Sequence, residues 1–486
     1  MKRGILSDRL SATTRSARHS LLFVAGLQCL LTGCIQGPDY SRPVVAVPSA
    51  YRFATPDLQI QRASANGAWW HELGDRRLDS LVQEALINNR DLRVATARVD
   101  EFSAILAGTR SQAFPQIGYD LNASRSRASE EKIPNFINPL SSSFGALLSA
   151  SWEIDLWGRI RRDTEAARAN LLATEEARRG VVLTLISSVI IGYVTLLDLD
   201  ERLRVAEATV EGRRQSVELF RARLNRGYIS DFEMTQAEAE YESTRAAIPE
   251  LKQAISTQEN ALSVLVGRNP GPIARDQGLA ALRLPRIPGG LPSELITRRP
   301  DILQAEQQLI ASNALIGVAR ALYFPRISLT TIAGFASAAL GRLFTGSART
   351  WSFTGDIAGP IFTGGGIKAA NRQAEARRNQ SLFTYENVVQ NAFRDVDDSL
   401  VGVRHTEELK QTLDRRVQSL HEGVRLANLR YENGYSDYLD VLDTERGLFS
   451  AQLSLAQAQG DRYRAVVGLY RALGGDWVQS PTMVGP

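Results

Sequence analysis

Two acids, Asp440 and Asp443, stand three residues apart within Arg430–Leu448, RYENGYSDYLDVLDTERGL. On a helix that spacing stacks both carboxylates along one face. Such a pair is either a solvated acidic face or a concentration of negative charge that favours cations where a passage is narrow. The residues before the pair read as one helix ending and another beginning. Gly434 can take the left-handed conformation that closes a helix, and Ser436 or Asp437 can cap the next one. Leu439, Val441 and Leu442 then supply its apolar positions.

The same stretch occurs a second time, around Gly227, as RLNRGYISDFEMTQAEAEY. Gly227 falls on Gly434, Tyr228 on Tyr435, Ser230 on Asp437, Phe232 on Leu439 and Glu233 on Asp440, at an offset of 207. Upstream, Phe114-Pro115-Gln116-Ile117 falls on Phe324-Pro325-Arg326-Ile327 at an offset of 210. Gly158-Arg159-Ile160-Arg161 falls on Gly365-Gly366-Ile367-Lys368 at 207. One unit of about 200 residues is used twice, and each copy implies the same local structure.

Length alone, 486 residues, would allow several domains. The duplication argues instead for one pseudo-symmetric body. Residues 1–33 read as a lipoprotein signal peptide: basic residues, the apolar run Leu21–Leu31, then Leu31-Thr32-Gly33-Cys34, which matches the bacterial lipobox. Lys2, Arg3, Arg9, Arg15 and Arg18 against Asp8 account for the whole formal charge of +4. The mature chain is near neutral, so the basic pI is no argument for nucleic acid. Cys29 leaves with the signal, and Cys34 is expected to carry a covalent lipid. No intrachain disulfide is then possible, and no other cofactor is expected.

Residues 34–72 read as lipid anchor and extended tether, proline-rich from Gly37 to Pro56. The first repeat covers 73–268, a linker 269–292, the second repeat 293–474 and a tail 475–486. Helical pattern begins near Asp75 and runs to about Gln112, where Phe114-Pro115 stops it. Alternation of period two follows. Ile117, Tyr119, Leu121 and Ala123 oppose Gly118, Asp120, Asn122 and Ser124; further on, Leu148, Trp152 and Leu156 oppose Ser149, Ser151 and Asp155. The second copy repeats this with Ile327 and Leu329, then Phe353, Ile357 and Ile361. Strands are expected at about 114–126, 144–156, 325–337 and 351–363. Apolar on one face and polar or small on the other, they have the pattern of a transmembrane β-barrel wall. A soluble two-layer sheet is less consistent with them, because each strand pair interrupts very long helices.

Those helices are read at Arg159 to Arg226 and Ile367 to Asn433, each roughly 100 Å long at 1.5 Å per residue. Shorter ones follow, from about Asp231 to Val266 and Asp437 to Leu473. Val181–Leu197 is apolar enough to be mistaken for a membrane span. Its copy, Val388–Arg404, contains Arg394, Asp395, Asp397 and Asp398, so a buried helical segment is expected. Gly364-Gly365-Gly366-Ile367-Lys368 lacks phosphate-loop spacing. The mature histidines, His71, His405 and His421, form no ligand cluster, and no nucleophile–base arrangement stands out. No enzyme is expected.

The lipobox, Gly37-Pro38-Asp39-Tyr40 with Pro43, the paired Phe-Pro breaks, Asp155-Leu156-Trp157-Gly158-Arg159 and Tyr438-Leu439-Asp440-Val441-Leu442-Asp443 together resemble the TolC-like outer-membrane efflux protein family. Within it they are similar to the lipoprotein branch of OprM and NodT. The resemblance covers essentially the whole mature chain. It implies a mainly α fold with a transmembrane β-barrel: a homotrimer closing twelve strands, continued by a long periplasmic α-helical barrel. It also implies an outer-membrane exit duct for small molecules, with a periplasmic adaptor (membrane fusion protein) and an inner-membrane pump of the resistance-nodulation-division type as partners. Leu439, Asp440 and Asp443 match positions that narrow the periplasmic end in family members, and Arg446 a position near that gate. Thr444-Glu445 departs from the Ala-Gln often found there. The turns holding Gly227, Tyr228 and Ser230, and Gly434, Tyr435 and Asp437, are the expected adaptor-docking sites. The competing readings are a duct for protein secretion or metal export, and a non-conducting lipoprotein scaffold. Lipid-facing alternation separates the scaffold from the ducts.

Overall fold

The computed structural model describes residues 35–53, 68–129, 131, 138–285 and 292–475. Cys34, the signal segment and the tail from residue 476 lie outside them. In chain order the elements are α1 (Arg76–Asn88), α2 (Arg90–Ser111), β1 (Gln116–Arg127), β2 (Leu140–Ile154), α3 (Arg159–Leu224) and α4 (Asp231–Leu265). Then come α5 (Pro292–Arg298), α6 (Pro300–Ala321), β3 (Arg326–Ser337), β4 (Arg349–Ala358), α7 (Gly366–Glu432) and α8 (Tyr438–Ala472). The second half repeats the first. α2 and α6 have 22 residues each, β1 and β3 have 12, α4 and α8 have 35, and α3 and α7 have 66 and 67.

Three expectations need correction. The helix read from Asp75 to Gln112 is two helices, broken at Asn89 with ψ 131. The Asn89 side chain accepts from Leu92 N (2.9 Å) and donates to Leu265 O (2.9 Å), so it caps α2 and ties down α4. The break recurs at Arg299, ahead of Pro300, a residue suited to a first helical position. The last strand ends at Ala358 rather than 363, and Ile361 is outside it, because Pro360 has no N–H for the ladder. The second strand spans 140–154 rather than 144–156. Asp155 leaves it to accept from Ile160 N (3.0 Å) and Arg161 N (2.9 Å), capping α3.

The described chain forms two compact units. The first includes one four-stranded antiparallel sheet, ordered β1-β2-β3-β4. Residues directly opposite each other share a face. Ile117 lies opposite Ala150, Tyr119 opposite Leu148, Thr331 opposite Phe353 and Ile327 opposite Ile357, which gives an apolar face. Gly118 opposite Ser149, Asn122 opposite Gly145, Thr330 opposite Thr354 and Ser328 opposite Asp356 give a polar one. β1 and β4 are the outer strands and are exposed along their whole length.

In the same unit, residues 35–42 are pinned in place. Tyr40 and Arg42 both donate to Glu306, at 3.1 and 2.5 Å, and Arg162 pairs with Asp39 at 2.7 Å. Gly37 passes so close to Gly317 that a Cβ on it would lie 2.5 Å from the Gly317 Cα. Trp157 stacks on Phe324 at 4.6 Å and donates Nε1 to Pro325 O at 2.8 Å. The Gly-Pro-Asp-Tyr, Phe-Pro and Leu-Trp-Gly stretches are thus one packed junction.

The second unit is helical. Its core gathers Leu78 and Leu81 of α1, Ile190, Tyr193 and Leu196 of α3, Leu262 of α4 and Val467 of α8. The apolar run Val181–Leu197 supplies much of this core, as a buried segment should. Tyr193 donates to the capping carboxylate of Asp75 at 3.1 Å, and Trp69 stacks on Tyr470 at 4.2 Å.

Candidate functional site at the paired helix turns

The turns from α3 to α4 and from α7 to α8 have one backbone solution, and both belong to the second unit. Tyr228 N donates to Arg223 O (3.0 Å) and Gly227 N to Leu224 O (2.8 Å). Tyr435 N donates to Arg430 O (2.8 Å) and Gly434 N to Tyr431 O (3.0 Å). These paired bonds satisfy the last helical carbonyls and need a left-handed residue. Gly227 and Gly434 supply it, with φ 75 and 74. Each turn then presents a tyrosine to solvent, Tyr228 at 75% exposure and Tyr435 at 77%. Exposed aromatics in equivalent positions are the kind of surface that partners cover.

The two helix starts diverge. Ser230 accepts from Glu233 N (3.3 Å) while the Glu233 carboxylate accepts from Ser230 N (2.9 Å), a reciprocal capping box. Asp437 occupies the matching position with nearly the same backbone (φ −76, ψ 160 against φ −84, ψ 156), yet its side chain makes no capping bond. The Ser436 hydroxyl is buried without a partner, so neither expected cap forms through a side chain. Asp440 stands where Glu233 does but is one methylene shorter, and its carboxylate does not close the box.

That leaves the Asp440 carboxylate outside any capping bond. Leu439, Asp440 and Asp443 are all exposed on α8. The Asp440 carboxylate pairs with no described residue. Asp443 lies 3.5 Å from Arg446 Nη1. Arg446 turns its Nε to Glu240 of α4, tying two helices together. Beneath the turns, Phe220, Tyr431 and Tyr438 pack ring to ring at 4.4 and 5.4 Å against Val217, Met234, Val441 and Leu442.

Glu240 and Arg213, both buried, were not found by motif. Arg213 donates to the carboxylate and backbone oxygen of Glu240 and to Thr244. Burial pushes the Glu240 carboxyl up, but the Arg446 and Arg213 guanidiniums outweigh it and hold the group below its ordinary range. Burial also pushes the neighbouring Glu445 up, with Arg213 opposing. The repeat held the signal. At the offset of 207 Glu240 falls on Gly447 and Arg213 on Leu420, a charged pair where the other copy has an apolar one. Among the described residues no group of three His, Cys, Asp or Glu could hold a metal.

Comparison with known proteins agrees with this architecture. The profile of the outer membrane efflux protein family matches residues 81–268 and again 291–475, once in each copy. The toluene efflux pump outer membrane protein TtgC of Pseudomonas putida is 35% identical over 465 residues, 95% of this chain and 96% of that one. The cation efflux system protein CusC of Escherichia coli is 35% identical over 447 residues, 92% and 97% of the two chains. Among solved structures, the outer-membrane channel OprN superposes with a TM-score of 0.84 at 30% identity, over 91% of this chain and 99% of that one. The open-state MtrE channel of Neisseria gonorrhoeae gives 0.82 at 32%, over 91% and 98%. The chain belongs to the outer membrane efflux protein family.

Proposed function

We propose that the chain is the outer-membrane exit duct of a tripartite efflux pump, passing small molecules delivered by an inner-membrane pump. The carrying observation is the sheet. It is apolar on one face and polar on the other, with open edges on β1 and β4. Open edges are not tolerated in lipid, and four strands cannot close. Two copies would give eight strands and a filled interior; three copies leave a lumen. The duct is therefore a homotrimer. Its polar face lines the passage, and its helices extend into the periplasm. Relatives of equal identity are named for toluene and for cations, which supports a duct that passes what its pump supplies. The lipobox supports a lipid on Cys34 and outer-membrane anchoring.

In the trimer, Leu439, Asp440 and Asp443 form rings at the end where the helices converge, a cation-favouring constriction. The six turns around Gly227 and Gly434 form the rim on which adaptor hairpins dock. The adaptor brings a pump of the resistance-nodulation-division type. The test is conductance of purified protein in planar bilayers. Ion-conducting, cation-selective steps are expected, and absence of any conductance overturns the duct. Asp440→Ala with Asp443→Ala should abolish selectivity and block by multivalent cations. Both properties unchanged would remove the gate and leave the duct.

A further inference from the structure

We infer that the loop end of the sheet binds the phosphate groups of outer-leaflet lipids through arginines on its apolar face, an inference that rests on reading this sheet as a membrane-spanning wall. By the strand register, the apolar face carries no acid and three basic residues, Arg125, Arg127 and Arg349. The strand acids Asp120, Glu153 and Asp356 are all on the polar face. Arg125 and Arg127 close β1 and Arg349 opens β4. That end holds the β1–β2 and β3–β4 connections; the helices leave from the other.

A lipid-facing arginine is costly at mid-bilayer and cheap at the interface, so these residues mark the outer polar boundary. The β3–β4 connection adds to the same end. Arg342, Leu340 and Phe344 are exposed there, and Phe344 meets Phe335 edge-on at 5.5 Å. Phe335 lies on the apolar face directly opposite Arg349. Aromatic rings beside cations are the usual furniture of the headgroup level. The guanidiniums of Arg125, Arg342 and Arg349 make no hydrogen bond or ion pair to any described residue. A planar guanidinium matches phosphate with two parallel bonds. Because β1 and β4 are the open edges, closing the barrel sets Arg349 of one copy on the strand next to Arg125 and Arg127 of another.

The experiment measures glycolipid retained per purified trimer in detergent, using lipopolysaccharide with its lipid phosphates and an enzymatically dephosphorylated sample. Wild-type protein should retain the phosphorylated form about tenfold better, and Arg125→Gln/Arg127→Gln/Arg349→Gln should lose that preference. Equal retention of both forms by wild-type protein overturns the inference even if the variant does not fold. So does displacement of the lipid by millimolar inorganic phosphate, which would indicate a free-anion site. Bilayer conductance of the same preparations separates the two readings. Conducting protein without lipid preference removes only the lipid site; non-conducting wild-type protein removes the duct.

Discussion

The turn at Gly227 and the turn at Gly434 share one backbone and differ in what their acids do. In the first copy, Glu233 is occupied by the capping box and Glu240 by Arg213. In the second, Asp440 caps nothing, and Gly447 with Leu420 replaces the buried ion pair. Duplication supplied two equal hairpins. The first is reinforced by its acids, and the second leaves them exposed where a passage could use them.

The sharpest break of this contrast is Glu240→Ala. It strands a buried arginine and should cost about 3–5 kcal/mol in denaturant unfolding. Gly447→Ala, at the matching position, meets only the two Leu420 methyls, at 3.3 and 3.9 Å, and should cost less than about 1 kcal/mol. Comparable losses would erase the difference between the copies. Gly227→Ala and Gly434→Ala test what the turns share. Nothing lies within 4 Å of either added Cβ, so each should cost only the backbone penalty, about 1–2 kcal/mol, and the two should match.

Smaller effects separate the helix starts. Ser230→Ala should cost about 1 kcal/mol and speed amide exchange in the first turn of α4. Asp437→Ala, which removes no capping bond, should leave α8 unchanged. Glu445→Gln is a comparably small change. A carboxyl whose folded pKa is raised subtracts stability while ionised, and returns it as pH falls through the raised value. The variant should therefore be slightly more stable at neutral pH, by less than about 1 kcal/mol, with the advantage gone once pH reaches the ordinary carboxylate range. Glu240 works in the opposite sense. Its depressed pKa gives stability above the ordinary range that is lost as pH falls through the folded value.

Much of this was legible because it is periodic or steric. Gly227 and Gly434 recur at one offset, proline stops helices, and alternation of period two marks a wall. What was missed depends on distant partners. Asn89 breaks a helical pattern because Leu265 O is within its reach. Asp437 has the residue type and backbone of a cap, and only the structure shows that its side chain makes no capping bond. Arg446 reads as a gate residue, and only the structure brings Glu240 to its Nε. At the end of β4, Ile357 and Ile361 keep the period of two, but the ladder stops at Ala358, two residues before Pro360.

The exposed edges of β1 and β4 also bear on how the protein is made. A single copy offers lipid two rows of unpaired backbone groups, and lipid has nothing to bond them with. Crossing the bilayer is then a collective event, and its rate depends on encounters among chains. Dilution should stall it without unfolding anything. Before assembly, the same edges are open templates for wrong pairings. Synthesis of this duct is therefore a race between the correct neighbour and any other strand, run at whatever concentration the periplasm allows.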